Sequence, residues 1–348
     1  MKKLKIGIVG CGTIADIHAQ AIRKSINAEL HSLYSRTEKN VKKCGEKFSV
    51  KWFTDWDKFI SDSDLDIVSI CTPNGNHLEY GEKVAEAGKH VIVEKPIEVT
   101  LKRANILIEK CKKNNVRLAV IYQTRFVPEI IELKKQIEQN EIGNIFMGDA
   151  YIKWFRNQEY YDSGAWRGTF ELDGGGVLIN QGIHTIDLLQ WLMGDVETIY
   201  GKIGTFTHKN LEGEDNAVAV IKYKSGAIGV IEGSTSVQPA QSRRIELHGK
   251  NGSVTIDNND VKISIGDKQQ TEDKNVKTTG ASSPLDGFSI EPHKMQFEAI
   301  VNAINTNSAP PVSGEDSLKS LAIVLAIYES SKLNTEINLD AFINKKIK

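Results

Sequence analysis

Five short apolar runs recur through the first 122 residues: KIGIVG, ELHSLYS, DIVSICTP, HVIVEKP and RLAVIYQ. Between them lie segments of helical period, among them IADIHAQAIRKS, NHLEYGEKVAEAG and TLKRANILIEKCKKN. Strands this continuously apolar must be covered on both faces, and helices that alternate with strands supply that cover. The first 122 residues therefore predict a doubly wound parallel sheet. In such sheets ligands bind beyond the carboxyl ends of the strands. One of those ends reads VIVEKPI, where Val91–Val93 give way to Glu94, Lys95 and Pro96.

After about residue 145 the rhythm changes. VKISI, RIELHG and SVTID alternate apolar and polar residues, and AVAVIKY and AIGVIEG flank the turn residues KSG. Period-two alternation predicts a mostly antiparallel sheet with one wet face. Two helical stretches follow, MQFEAIVNAI and DSLKSLAIVLAIYESS. The chain thus divides into an α/β domain over 1–122 and an α+β, open-sheet domain over 123–348. The polar stretch near 267–287 predicts a mobile loop.

Composition narrows the function. With 348 residues, 40% of them hydrophobic, the chain can fill two cores. The 44 basic and 45 acidic side chains nearly cancel, which argues against nucleic acid or an anionic membrane as partner. Four scattered cysteines form no metal-binding or disulfide pattern and fit a reducing, cytoplasmic setting. The start, MKKLKIGIVGCG, imitates a signal peptide but reads as a first strand, and no apolar stretch is long enough to span a bilayer.

GIVGCGTIA places Gly10, Gly12 and Ala15 in the pattern G-x-G-x-x-A, between a strand and a helix. Gly10 permits the turn, Gly12 lets a pyrophosphate approach the backbone, and the helix amino terminus receives its charge. Cys11, Thr13 and Ile14 complete this loop. The second strand ends in Ser35 and Arg36, where a carboxylate would favour NAD. A hydroxyl and a guanidinium suit a 2′-phosphate instead, so the reading leans toward NADP; stacking of Arg36 on adenine is the alternative. Thr72, Pro73, Asn76 and His77 follow the third strand at the same sheet edge, although His77 also reads as a plain first-turn residue.

LDGGGVLINQGIHTIDLLQWLMG predicts a helix entered through Gly174–Gly176 and stopped by Gly194. Asn180, His184 and Asp187 share one face of it, beside an apolar stripe of Ile179, Ile183 and Ile186. His184 reads either as a site residue or as a core histidine bonded to Asp187. It has no partner at ligand spacing, so no metal is expected. Upstream, WFRNQEYYDSGAWRGTF brings Trp154, Tyr160, Tyr161, Trp166 and Arg167 into a segment suited to stack on a sugar or clamp an anion.

Together these motifs resemble the glucose–fructose oxidoreductase/inositol dehydrogenase/MocA-like (Gfo/Idh/MocA) family over nearly the whole chain. The resemblance rests on G-x-G-x-x-A, TPNxxH, the EKP of Glu94–Pro96 and GGGxxxNxGxHxxD over Gly174–Asp187. It implies a Rossmann domain for NAD(P) and a second domain that binds substrate and forms dimers or tetramers. It implies that Lys95 and His184 are catalytic acid/base residues, with Glu94 tuning Lys95. Cofactor contacts would also include Glu94, Lys95 and Gln123, and substrate contacts Lys95, Tyr161, Trp166, Arg167, Asn180 and His184. Substrates would be sugars, polyols or nucleotide sugars. Many members carry Asp where this chain has Asn180, which cannot take a proton; some members that resemble nucleotide-sugar 3-dehydrogenases also have Asn there, and that likeness implies oxidation of a secondary hydroxyl on a hexose or N-acetylated sugar. A glycosidase using transient oxidation by NAD and a non-catalytic NAD(P)-sensing regulator are the competing readings.

Overall fold

The structure, a computed structural model, describes residues 2–266, 268–270 and 289–348. In chain order the first elements are β1 (Leu4–Val9), α1 (Thr13–Lys24), β2 (Ala28–Tyr34), α2 (Glu38–Phe48), β3 (Lys51–Phe53), α3 (Trp56–Ile60) and β4 (Ile67–Ile70). They continue with α4 (His77–Glu86), β5 (His90–Val93), α5 (Leu101–Lys113), β6 (Leu118–Val120) and α6 (Pro128–Glu138). Next come β7 (Ile145–Lys153), α7 (Gln158–Asp162), α8 (Ile183–Met193), β8 (Val196–Gly204), β9 (Asn216–Tyr223) and β10 (Ile228–Ser234). The remainder is β11 (Arg244–Gly249), β12 (Gly252–Asp257), β13 (Asp260–Ile265), β14 (Lys268–Gln270), α9 (Glu291–Asn305), α10 (Gly314–Leu333), β15 (Ile337–Asn338) and α11 (Leu339–Lys346).

Two compact units result: Met1–Phe126 with Ser289–Leu318, and Val127–Phe288 with Lys319–Lys348. The single cut expected at 122 did not anticipate the return of 289–318. MQFEAIVNAI, assigned by sequence to the second domain, lies in α9 and packs on α1 in the first unit. Phe297, Ile300 and Val301 enter the same core as Ile6, Ile8, Ala19 and Ile22.

The first unit carries a six-stranded sheet in the order β3-β2-β1-β4-β5-β6, with every pairing parallel. The order reverses between β1 and β4, the switch point at which ligands of such sheets bind. β4 is buried along its whole length and β5 nearly so, as a strand sandwiched between helices requires. β3 escaped the sequence reading because three residues are too few to show a period.

The second unit carries a nine-stranded sheet in the order β14-β13-β12-β11-β7-β10-β9-β8-β15. Its strands pair antiparallel except β7 with β10. β9 alternates strictly, burying Ala217, Ala219, Ile221 and Tyr223 and exposing Val218, Val220 and Lys222. Ile183, Ile186, Leu188 and Leu189 of α8 are likewise buried. On the open face, Val218 and Val220 are each 55% exposed, and Ile228 is 50% exposed. Of the loop expected near 267–287, residues 268–270 form β14, and the rest lies outside the described residues.

Candidate active site

In the first unit, Gly10 has φ +104°, and a Cβ there would meet the Cys71 carbonyl oxygen at 2.5 Å. The turn therefore needs glycine for the fold itself. Gly12 differs, because a Cβ there would meet nothing within 4 Å. It is the exposed amino-terminal cap of α1, and no side chain caps its first N–H groups. Those donors and the helix dipole form a receptor for an anion, which fits the pyrophosphate of a dinucleotide. Thr13 is exposed, and Cys11 and Ile14 are half-buried on the same turn. Burial, with Cys44 close by, pushes the Cys11 thiol up to about 12, so it stays protonated.

At the end of β2, the Ser35 hydroxyl accepts from the Thr37 N–H at 3.3 Å, while the Arg36 side chain is exposed. Thr72, Pro73, Asn76 and Gln123 are half-buried at the carboxyl end of the sheet. Among the described residues, Thr72 Oγ1 and Gln123 Oε1 have no protein partner, as expected of atoms that face a ligand. His77 is fully buried, with Nδ1 2.9 Å from the Pro96 carbonyl and Nε2 3.3 Å from the Thr72 carbonyl. Burial lowers its pKa, and the neutral ring has one N–H, so it donates to one of these two carbonyls at a time. This is structural support in place of the expected contact with cofactor.

Below Lys95 lies a polar cluster that the sequence reading did not foresee. Glu94 is buried, and its carboxylate lies 2.7 Å from His18 Nε2. His18 Nδ1 lies 2.9 Å from Ser69 Oγ and 3.2 Å from Cys71 Sγ. The Phe297 ring meets the His18 ring edge-on at 5.1 Å. Burial works against charge on either group, but each favours the other's charged form. His18 is pushed up to about 10 by Cys71 and Glu94, and Glu94 is held down at about 2 by His18 and Lys95. Glu94 also accepts from the Lys95 backbone N–H at 3.1 Å. This fixes the direction in which Lys95 leaves β5, just before a cis peptide to Pro96. The only hint in the sequence was His18 at the fourth position after the Gly-rich turn's Ile14, facing inward on an amphipathic helix.

In the second unit, Val177–Gly182 form a π-helical turn that runs straight into α8. The three glycines serve the chain's own packing: a Cβ on Gly176 would meet the Glu214 carbonyl oxygen at 1.7 Å. The Glu214 carboxylate accepts from the N–H groups of Gly176 (3.1 Å) and Leu178 (2.8 Å), capping the turn. Burial raises Glu214 to about 7 in spite of these bonds. The neighbouring Asp215 behaves oppositely. Burial opposes its charge, but the N–H groups of Thr207 and Phe206, with Asn216 and His208, hold it far below the usual carboxylate range.

The π turn lies before His184, so it changes the helical phase between Asn180 and His184, while His184 and Asp187 keep their three-residue step within α8. Asn180 and His184 are half-buried, whereas Asp187 is buried and accepts from Ser320 Oγ at 3.1 Å. Asn180 Nδ2 donates to both carboxylate oxygens of Asp173, at 2.8 and 3.0 Å. Tyr161, expected at the substrate, is buried; its hydroxyl bonds Thr235 at 2.9 Å and its ring packs on His208. Tyr160 takes the outward place, accepting from Gln181 Nε2 at 3.0 Å. Trp166 and Arg167 are half-buried beside it.

Among the described residues, two groups of three acidic or histidine side chains lie close together: His18, Glu94 and His293, and Asp149, Glu246 and His248. Neither includes His184.

The two sheets and their site elements correspond to two models of one family. Residues 4–122 match the oxidoreductase family's NAD-binding Rossmann fold, and residues 134–339 match its C-terminal alpha/beta domain. The chain belongs to this family, Gfo/Idh/MocA, and is a nicotinamide-dependent oxidoreductase. It is 26% identical to the myo-inositol 2-dehydrogenase of Thermotoga maritima over 350 residues, covering 98% of this chain and all of that one. The WlbA dehydrogenase of Bordetella pertussis, solved with NADH and UDP-GlcNAcA, is 29% identical with a TM-score of 0.83, covering 97% of this chain and 99% of the other. A levoglucosan dehydrogenase solved with NADH, 20% identical, shares the fold with a TM-score of 0.87 over 97% of this chain and 99% of that one.

Proposed function

We propose that the chain exchanges a hydride between a nicotinamide cofactor and a hydroxyl or carbonyl group of a sugar, polyol or nucleotide sugar. The observation that carries this reading is the ionised, buried Glu94 that fixes the backbone of Lys95 at the carboxyl end of β5. Bound nicotinamide supplies the hydride chemistry; the chain's own groups handle the proton. The Lys95 ammonium polarises the reacting oxygen, and His184 serves as acid or base. Asn180, its amide nitrogen bonded to Asp173, offers its side-chain carbonyl oxygen to orient a hydroxyl and takes no proton. The printed ligands of relatives, NADH and UDP-GlcNAcA, support both the cofactor and the substrate class.

Gly10–Ile14 would hold the pyrophosphate, Ser35 and Arg36 the adenosine side, and Thr72, Pro73, Asn76 and Gln123 the nicotinamide side. The lean is toward NADP, because the exposed Arg36 and the Ser35 hydroxyl stand where a carboxylate would repel a 2′-phosphate. Among the described residues no helix is long and apolar enough to cross a membrane, and the four cysteines are free. The free thiols support a cytoplasmic setting. The exposed valines of β9 support assembly through the second sheet. The test is a screen of neutral and acidic sugars, polyols and nucleotide sugars with NAD and NADP, followed by nicotinamide absorbance. Net cofactor reduction or oxidation supports the reading. Product release without any net cofactor change, after full turnover, would replace it with a glycosidase.

A further inference from the structure

Two arginines of the second unit share one aromatic ring. The Arg167 guanidinium lies 4.3 Å from the Tyr160 ring centre and 4.6 Å from that of Trp166. The Arg156 guanidinium lies 5.1 Å from the same Tyr160 ring and 5.5 Å from Trp154. The two positive charges are thus within about 10 Å of each other. Among the described residues neither has a carboxylate partner, and the buried Nε of each has no protein acceptor. Among the described residues, the one acceptor on either head is the Phe155 carbonyl, 3.0 Å from Arg156 Nη1. Asp162, close in sequence, accepts from Gln158 instead.

Ring contacts of this kind hold a guanidinium plane in place while its N–H edge remains available. No carboxylate among the described residues offsets either charge, an anion beside them would, and planar guanidinium edges match carboxylate or phosphate oxygens. The location ties the pair to the site. Tyr160 is held by Gln181, which lies on the π turn between Asn180 and His184. The Arg156 backbone is held as well, because its carbonyl accepts from His208 Nε2 at 2.8 Å. The Asp215 carboxylate, 3.0 Å from Nδ1, sets that ring's orientation.

We propose that Arg156 and Arg167, clamped around Tyr160, form an anion subsite, so that the substrate is an anionic carbohydrate bearing a carboxylate or a phosphate. The proposal rests on the dehydrogenase reading above and separates it from relatives whose substrates are neutral polyols.

Calorimetric titration of the NADH-saturated enzyme with D-glucuronate, UDP and D-glucose tests it. At least one anionic probe should bind about tenfold or more tightly than D-glucose, with an affinity that falls as salt rises. Preference for D-glucuronate would assign the subsite to a ring carboxylate, and preference for UDP to a phosphate. R156M and R167M should each weaken the preferred anion about tenfold or more and leave NADH affinity unchanged. R167K, which keeps the charge and loses the fork, should fall between R167M and wild type, and its folded circular dichroism guards against misfolding. Equal binding of all three probes, no anion binding to an enzyme that binds NADH, or unchanged anion affinity in the R156M/R167M enzyme would each overturn the subsite. Failure of the wild-type enzyme to bind any nicotinamide cofactor would instead overturn the reading beneath it.

Discussion

Asn180 donates its side-chain amide to both oxygens of the buried Asp173, at 2.8 and 3.0 Å. A carboxylate only accepts, so the bond fixes the amide's orientation and directs the Asn180 carbonyl away from Asp173. Asp173 also accepts from the Gly168 N–H at 2.8 Å, which locks the loop carrying Arg167.

Asn180→Asp would place two carboxylates in contact, and such pairs share a proton. The added acid's pKa is raised in the folded state, so the variant should lose stability as pH rises through that value. Thermal unfolding from acidic to slightly alkaline pH should show it close to wild type when acidic and lower by several degrees when neutral. Matching curves across the range would show that Asp173 does not constrain this position.

Glu214 predicts a pH dependence of its own. Its ordinary value is 4.5, and burial raises it to about 7. Between those values the folded chain keeps a proton that the unfolded chain has lost, so this group's contribution to stability declines as pH rises through that window. Glu214→Gln keeps one acceptor oxygen and cannot ionise. Relative to wild type, it should therefore gain stability from pH 4.5 to about 7 and then level off. A constant difference in denaturant midpoint would contradict the raised pKa.

Lys95→Met retains most of the apolar stem and removes the charge. Turnover should drop by about 10²–10⁴-fold while cofactor affinity holds. His184→Asn should cost less, because Lys95 still polarises the oxygen. Full turnover by Lys95→Met with a working substrate would falsify the assignment of Lys95.

Arg36→Ala should weaken NADP roughly ten- to a hundredfold, as expected for loss of a charged hydrogen bond, and scarcely alter NAD. Equal losses for the two cofactors, measured by fluorescence titration, would mean that Arg36 only stacks on adenine.

The open face of β9 and β10 exposes Val218, Val220 and Ile228 together. Contiguous apolar exposure of this kind marks a contact surface. Wild type should sediment as a dimer or tetramer at micromolar concentration, and Val218→Lys with Val220→Lys should sediment as smaller species. A monomeric wild type would sink the prediction of sheet-mediated assembly.

Much of this was legible in the residues. Uninterrupted apolar runs announced the parallel sheet, alternation announced the second sheet, and Gly12 and Lys95 follow the strand ends at which their motifs placed them. What was missed has common causes. The π turn at Val177–Gly182 shifts the phase that a 3.6-residue period assumes, so spacing alone does not fix how Asn180 stands relative to His184. Tyr160 and Tyr161 are adjacent, and no local pattern says which of two successive rings faces inward. His18 beneath Glu94 joins residues 76 apart in sequence, which no spacing rule reaches.

The chain's return at 289–318 has a consequence for its synthesis. Phe297, Ile300 and Val301 are almost completely buried in the core closed by α1, yet they follow Phe126 by more than 160 residues. At about 5–20 residues per second, the nascent first unit waits roughly ten seconds or more for α9 to emerge. Until then Ile22 and Ala19 lack their partners, and His18 lacks Phe297. A ribosome-bound fragment ending near residue 126 should therefore recruit a holdase chaperone, and release from it should coincide with the appearance of α9.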